Sequence, residues 1–194
     1  MTFNWETGFV ADFSLTNGLS SAAVSSKRRL SDMRGMYRDG EALEAQIAGG
    51  DPLTYEFYEM DAPPNAGHIA PGTSILYPGK VGEEYAFTKG HYHIVPETAE
   101  VYYTLAGKGF MMMENPEGDW QALPLESGKM VYVPPRYAHR SINTGDTPLI
   151  TFFAFRADAG HDYGTIKQRG FRKLVVERNG KPEIIDNPSW SGSQ

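Results

Sequence analysis

Three histidines and one glutamate form the pattern that most constrains the fold of this chain. His91 and His93 lie two residues apart in an apolar, aromatic stretch, Glu100 opens the run Glu-Val-Tyr-Tyr-Thr-Leu, and His139 ends the run Val-Pro-Pro-Arg-Tyr-Ala-His. Alternate side chains of a β-strand share a face, so the first stretch predicts a strand with both imidazoles on one side. Three imidazoles and one carboxylate are a competent ligand set for a divalent transition metal.

The composition limits the types of metal ligand and of binding partner that this chain can have. The 194 residues include no cysteine, which excludes disulfides and thiolate ligands and leaves nitrogen and oxygen donors. The net charge of −6 comes from scattered acidic residues, which argues against a nucleic-acid or anionic-membrane partner. The N-terminus lacks the features of a secretory signal, and no apolar run reaches the length of a bilayer span. We therefore expect a cytoplasmic protein.

Short strand-like runs separated by turn signals predict a mainly β sandwich or barrel. Residues 38–47 are the best helix candidate, because Ala, Leu and Glu favour a helix and Gly49-Gly50 ends it. Met111-Met112-Met113 is expected in the core. Strands are predicted at residues 53–59, 73–77, 84–88, 100–105, 109–114, 120–125, 130–133, 141–143 and 149–155, followed by a hairpin over 172–186.

Two groups of residues resemble the two sequence motifs of the cupin superfamily. The first motif is matched by His91, His93, Glu100 and Gly107. The second motif is matched by Gly128, Pro134, His139 and Asn143. The resemblance implies a single-domain double-stranded β-helix, or jelly-roll barrel, whose metal ligands are His91, His93, Glu100 and His139.

The chain departs from the cupin pattern at two places. The gap between His93 and Glu100 is longer than in most cupins, which leaves Glu97 as an alternative carboxylate ligand. Arg136 stands where the second motif usually has glycine. We expect residues 1–50 to form an N-terminal extension that packs on the barrel, and residues 51–194 to form the barrel with a C-terminal hairpin.

Further blocks resemble one cupin family, the cupin-type (archaeal-type) glucose-6-phosphate isomerases. They include Leu-Tyr-Pro-Gly-Lys-Val-Gly at 76–82, Phe-Thr-Lys-Gly-His-Tyr-His at 87–93 and Ala-Asp-Ala-Gly-His-Asp-Tyr-Gly at 157–164. The resemblance implies interconversion of glucose 6-phosphate and fructose 6-phosphate in glycolysis and gluconeogenesis, usually by a homodimer. It favours Fe(II), although nitrogen and oxygen ligands also suit Mn(II), Ni(II) and Zn(II).

The same resemblance implies roles for residues around the metal. Tyr55, Ser74, Thr88 and the backbone N–H of Gly90 are the implied phosphate donors, and Tyr102 is a further substrate contact. Hydroxyls and an unhindered glycine amide are suited to phosphate oxygens. Cross-strand packing is the alternative role for Tyr55 and Thr88. Lys89 is left out, because strand alternation turns it away from the face of Thr88.

Aldose–ketose isomerisation moves hydrogen between C1 and C2, and two routes are open. In an enediol route Glu100 is the candidate base, and in a hydride shift a metal polarises the two oxygens. His161 and Tyr163 are the remaining polar candidates, and the imidazole of His161 could shuttle a proton during ring opening. The alternative is that His161 buttresses a loop.

Two other functions fit the same motifs. A site of three histidines and one glutamate also suits an Fe(II) oxygenase, although the expected phosphate donors speak against it. A non-catalytic, sugar-binding cupin is the other possibility, because one fold hosts many functions.

Overall fold

The computed structural model describes residues 3–20 and 24–190, and most regular structure in these ranges is β-sheet. The strands are β1 (Val24–Arg29), β2 (Leu53–Glu59), β3 (Ile69–Leu76), β4 (Lys80–Val81), β5 (Glu84–Tyr85), β6 (Glu100–Ala106), β7 (Lys108–Glu114), β8 (Trp120–Glu126), β9 (Met130–Val133), β10 (Ala138–Asn143), β11 (Leu149–Arg156), β12 (Lys173–Arg178) and β13 (Lys181–Asp186). The helices are α1 (Gly40–Ala48) and α2 (Gly164–Arg169), with a 3-10 helix at Leu30–Met33.

The strands form three antiparallel sheets. The first has the order β1-β2-β3-β11-β6-β9, the second β10-β7-β8, and the third β13-β12-β5-β4. Strand β11 pairs with both β3 and β6, so strands that are distant in the sequence are neighbours in the sheet, as in a jelly roll. The predicted mainly β jelly-roll fold is confirmed.

The predicted N-terminal helix is also confirmed, with its bounds shifted by one or two residues. The Asp39 side chain accepts a hydrogen bond from the amide of Ala42 at 2.9 Å, which caps the start of α1. Leu43 anchors the helix in the core, and Gly49 follows its last turn. No helix within the described residues is long and apolar enough to cross a bilayer.

The prediction of a continuous strand through the histidine pair is wrong. Strand β5 ends at Tyr85, and the segment beyond it makes only isolated bridges, among them His91 to His139. Gly90 has a φ of +76°, which interrupts the extended backbone. A side chain at this position would also lie 2.7 Å from the Phe171 ring, so only glycine fits here.

Strands β7 and β10 of the second sheet are buried on both faces over most of their length. Met111, Met112 and Met113 on β7 are at most 1% exposed, so their predicted core position is confirmed. On β10, Arg140 is also buried, and its guanidinium stacks between Phe87 at 4.2 Å and Phe171 at 4.5 Å. Alternation along β10 thus places His139 on the inner face and Arg140 on the outer face.

The segment before residue 51 contributes to the sheet as well as to the helices. Strand β1 pairs with β2 and forms one edge of the six-stranded sheet. The C-terminal hairpin β12–β13 pairs through β12 with β5. The division into an extension at 1–50 and a barrel at 51–194 stays a prediction.

We predict that Gly107, at the turn between β6 and β7, tolerates no side chain. Its φ is +82°, and an added Cβ would lie 2.5 Å from the carbonyl oxygen of Pro148. Gly128 has a similar φ of +84° with no atom near its absent side chain, so it is the matched control. Gly128→Ala should lower the free energy of unfolding by about 1–2 kcal/mol, and Gly107→Ala by about 3 kcal/mol or more. Urea denaturation measures both values, and equal losses would contradict the role assigned to the contact.

Candidate active site

The four predicted metal ligands lie together inside the barrel. One ligand atom from each of His91, His93, Glu100 and His139 lies within 4.8 Å of those of the other three. His91 and His139 are joined by paired backbone hydrogen bonds, with N···O distances of 3.3 and 3.1 Å. Glu100 is the first residue of β6, which crosses the barrel from the other sheet.

Hydrogen bonds at the back of two imidazoles determine which nitrogen faces the cluster. His93 Nδ1 lies 3.1 Å from the carbonyl oxygen of Thr98 and 2.7 Å from its hydroxyl, which itself donates to Val95. A carbonyl oxygen only accepts, so Nδ1 carries the proton and Nε2 keeps its lone pair. His139 Nδ1 likewise donates its proton to the carbonyl oxygen of Tyr137, with an N···O distance of 3.4 Å.

Two of the three imidazole nitrogens that face the cluster, His91 Nε2 and His139 Nε2, are buried without a hydrogen bond among the described residues. Glu100 Oε2 lies 2.9 Å from His139 Nε2 and within hydrogen-bond distance, 3.2 Å, of His93 Nε2. Lone pairs on nitrogen and on a carboxylate oxygen repel at such distances unless a proton or a metal cation lies between them. This set of three nitrogens and one oxygen fits a divalent transition metal.

The protonation states also suit metal binding. Burial opposes the charge of Glu100, but in the metal-free protein the positive charge and the N–H groups that His139, His93 and His91 offer when protonated hold the pKa of its carboxyl below the usual range. Burial, with the neighbouring imidazoles, lowers the pKa of His91 well below its ordinary value. At neutral pH the cluster therefore combines an anionic carboxylate with a neutral imidazole, as metal ligands require. Glu97, the alternative carboxylate, is exposed and lies outside the cluster.

A pocket of about 570 Å³, including its open mouth, leads from the surface to this cluster. Its walls contain every residue predicted to contact substrate and both further catalytic candidates. These are Tyr55, Ser74, Thr88, Gly90, Tyr102, His161 and Tyr163.

The implied phosphate donors are available for a ligand. Tyr55 and Ser74 are largely buried but still line the pocket. The hydroxyl oxygen of Thr88 accepts a hydrogen bond from the amide of Ser141 at 3.1 Å, which leaves its own proton free to donate. The Gly90 amide donates to no backbone carbonyl of the described residues.

His161 and Tyr163 lie beside the histidine cluster. The ring of His161 is 4.4 Å from that of His91, and the Tyr163 ring stacks on it at 5.9 Å. Burial lowers the pKa of His161, so its imidazole is neutral at pH 7. Within residues 3–20 and 24–190 the His161 ring makes no hydrogen bond, so buttressing of a loop by such a bond finds no support there.

Sequence reasoning missed two charged residues of the pocket wall. Glu59 follows Tyr55 and Phe57 at alternate positions of β2, so strand alternation from Tyr55 could have found it. The expectation that Lys89 points away from the pocket is wrong, since Lys89 lines it. The alternation argument fails there because the backbone turns at Gly90.

The site can now be compared with known proteins. The sequence profile of the glucose-6-phosphate isomerase (GPI) family matches residues 27–190. The chain belongs to the glucose-6-phosphate isomerase family. The membership inferred from sequence blocks is thereby confirmed.

Two members of the glucose-6-phosphate isomerase family illustrate the similarity. The glucose-6-phosphate isomerase of Pyrococcus abyssi (strain GE5 / Orsay) is 48% identical over 183 residues, which cover 94% of this chain and 96% of that protein. That of Thermococcus litoralis is 48% identical over 190 residues, which cover 98% and 99%. Among solved structures, Bacillus subtilis oxalate decarboxylase aligns over 54% of this chain and 26% of that chain, with 25% identity and a TM-score of 0.44.

We predict that Thr98 supports metal binding in this family member by orienting His93. Thr98→Val removes the hydroxyl that lies 2.7 Å from His93 Nδ1, and should weaken the affinity for a divalent metal by about 10- to 100-fold. Thr104→Val is the control, because the buried Thr104 hydroxyl has no partner among the described residues. Competition with a chelator measures the affinity, and the thermal midpoint of the metal-free proteins reports the fold. Equal affinities of the two variants would refute the role of Thr98.

A second prediction concerns Glu59 in the metal-free protein. Burial, together with repulsion from Glu100 and Asp61, raises the pKa of Glu59 to about 7. The folded state therefore holds this proton more tightly than the unfolded chain, so the contribution of Glu59 to stability is full at low pH and is lost as the pH rises through about 7.

As the pH rises from 5 to 8, the free energy of unfolding of Glu59→Gln should consequently increase by about 1–2 kcal/mol relative to that of wild type. This value allows for the partial exposure of Glu59. Denaturant unfolding across this pH range measures the difference. Glu97→Gln, at an exposed carboxyl outside the pocket, is the control. Parallel stability curves for Glu59→Gln and wild type would contradict the prediction.

Proposed function

We propose that this chain is a metal-dependent aldose–ketose isomerase that interconverts glucose 6-phosphate and fructose 6-phosphate. Family membership supports the reaction, and one observation in the structure carries the metal dependence. The lone pairs of His91 Nε2 and His139 Nε2 converge on the Glu100 carboxylate at the inner end of a pocket with hydroxyl donors along its wall.

The metal is proposed to be one divalent transition ion per chain, held by His91, His93, Glu100 and His139. Fe(II) is favoured by the family resemblance, and Mn(II), Ni(II) and Zn(II) suit the same ligands. When bound, such an ion supplies Lewis-acid polarisation of the oxygens at C1 and C2 of the sugar.

Glu100 has a different task in each of the two routes. In an enediol route its carboxylate takes the proton from one carbon and returns it to the other, and the low pKa of this buried group keeps it unprotonated at neutral pH. In a hydride shift Glu100 serves only as a ligand. A carboxylate that is both ligand and base has to loosen when substrate binds.

The remaining residues bind and orient the sugar phosphate. Tyr55, Ser74, Thr88 and the Gly90 amide are proposed to hold the phosphate oxygens at the outer part of the pocket. Tyr102 lies close to Glu100, where burial and the carboxylate charge raise the pKa of its phenol well above the usual value. The neutral Tyr102 hydroxyl is thus suited to donate to a substrate oxygen.

Ring opening requires a proton to move between the ring oxygen and a hydroxyl of the sugar. His161 is proposed to carry this proton, because its neutral imidazole can accept one and return it. The phenol of Tyr163, whose pKa is raised by burial, stacks on this ring and can donate to the sugar.

We propose in addition that the enzyme is a cytoplasmic homodimer. Exposed apolar side chains at one edge of the six-stranded sheet support an interface there. They are Tyr103 on β6 and Met130 and Tyr132 on the edge strand β9.

The proposed function predicts that Glu100→Gln loses turnover of fructose 6-phosphate by at least about 100-fold, the contribution expected of a positioned base. Glu97→Gln is the matched control, since Glu97 is an exposed carboxylate three residues away. A coupled assay of glucose 6-phosphate formation measures turnover, and elemental analysis measures the metal content of each variant. Metal retention with most of the turnover in Glu100→Gln would exclude Glu100 as the base.

A further inference from the structure

The proposed phosphate subsite lacks positive charge of its own. Its four donors are neutral groups, whereas a sugar phosphate carries roughly −1.5 to −2 charges at pH 7. Lys89 is the one lysine or arginine among the described residues that line this pocket. One lysine leaves about one negative charge of the phosphate to be balanced from outside the pocket.

A second cavity adjoins the pocket and supplies this charge. We call it the vestibule; it measures about 780 Å³, including the part open to solvent, and it shares Lys89 and Tyr163 with the pocket. The charged side chains of its wall are Arg28, Asp32, Arg34, Lys89 and Lys167.

Most of the positive charge in the vestibule is not neutralised. Arg34 is paired with Glu44 through two hydrogen bonds of 2.8 and 3.0 Å. Arg28, Lys89 and Lys167 form no ion pair with any carboxylate in the described ranges 3–20 and 24–190. These three cations face one carboxylate, Asp32, so two positive charges remain in excess.

The three unpaired cations surround one cavity. Arg28, Lys89 and Lys167 all line the vestibule, and the Lys89 side chain is half-buried there. An anion among these three side chains would remove the repulsion between them and would gain charge-assisted hydrogen bonds.

The vestibule adjoins the part of the pocket that contains the proposed phosphate donors. Thr88 and Gly90, two of the proposed donors, flank Lys89 in the chain, and Lys89 lines both the pocket and the vestibule. A group joined to the bound phosphate through one bridging oxygen would therefore lie among the vestibule cations.

We propose that the vestibule is a second anion-binding site, which takes a phosphoryl group next to the phosphate subsite. The group is either the distal phosphoryl of a pyrophosphate-type anion or a free phosphate ion. This inference rests on the proposed function, because it uses the position assigned to the substrate phosphate.

The test compares inorganic pyrophosphate with orthophosphate as inhibitors of fructose 6-phosphate turnover, at one buffered concentration of free metal. Pyrophosphate should inhibit competitively and about tenfold more strongly than orthophosphate, and Lys167→Met should abolish most of this advantage. Lys167 is exposed on α2, so its replacement leaves the core intact. The control is Lys129→Met, which removes the same charge from an exposed lysine paired with Glu126. Chelation of metal by pyrophosphate affects all three proteins equally.

The mode of inhibition distinguishes the two sources of the phosphoryl group. Competitive inhibition by pyrophosphate that depends on Lys167 assigns the site to a distal phosphoryl group. Orthophosphate that inhibits at saturating fructose 6-phosphate, and only while Lys167 is present, assigns it to free phosphate. Equal inhibition by both anions that persists in Lys167→Met, or an advantage of pyrophosphate that survives Lys167→Met, overturns the proposal. If wild type shows no turnover, the proposed function fails, and equilibrium dialysis with labelled pyrophosphate tests the vestibule alone by the same comparison of variants.

Discussion

The convergence of three imidazoles on one buried carboxylate is the interaction on which this structure depends. Glu100 Oε2 lies within 3.2 Å of the Nε2 atoms of His93 and His139, and both imidazoles are fixed from behind by backbone carbonyls. Such an arrangement is costly unless a cation offsets the repulsion and the burial of the charge. The jelly roll keeps it in place by holding β6 and β10 on opposite walls.

The rest of the molecule shapes the electrostatics around this centre. The pocket combines the carboxylates of Glu59 and Glu100 with neutral hydroxyls and one cation, Lys89. The other unpaired cations lie in the adjoining vestibule, while Arg140 is buried between two aromatic rings. A charge distribution of this kind favours a sugar phosphate with its anionic end toward the vestibule and its carbonyl end toward the histidines.

Much of the site could be predicted from sequence, because its residues lie in short motifs with fixed spacing. The candidate ligands and the β-rich fold follow from such patterns, whereas the choice between Glu97 and Glu100 needed the structure, in which only Glu100 lies in the cluster. Lys89 could not be placed, since strand alternation fails where Gly90 turns the backbone. Strand β1 and the vestibule were missed because they depend on which distant segments pair, which no local pattern records.

The central claim is that turnover requires the metal that these four side chains are proposed to bind. The most direct measurement is the conversion of fructose 6-phosphate to glucose 6-phosphate by the protein before and after chelation, with Fe(II), Mn(II), Ni(II) and Zn(II) restored separately. The account predicts that chelation abolishes turnover and that at least one of these ions restores it. Undiminished turnover in protein shown to be free of metal, or no turnover in folded, metal-loaded protein, would contradict the account.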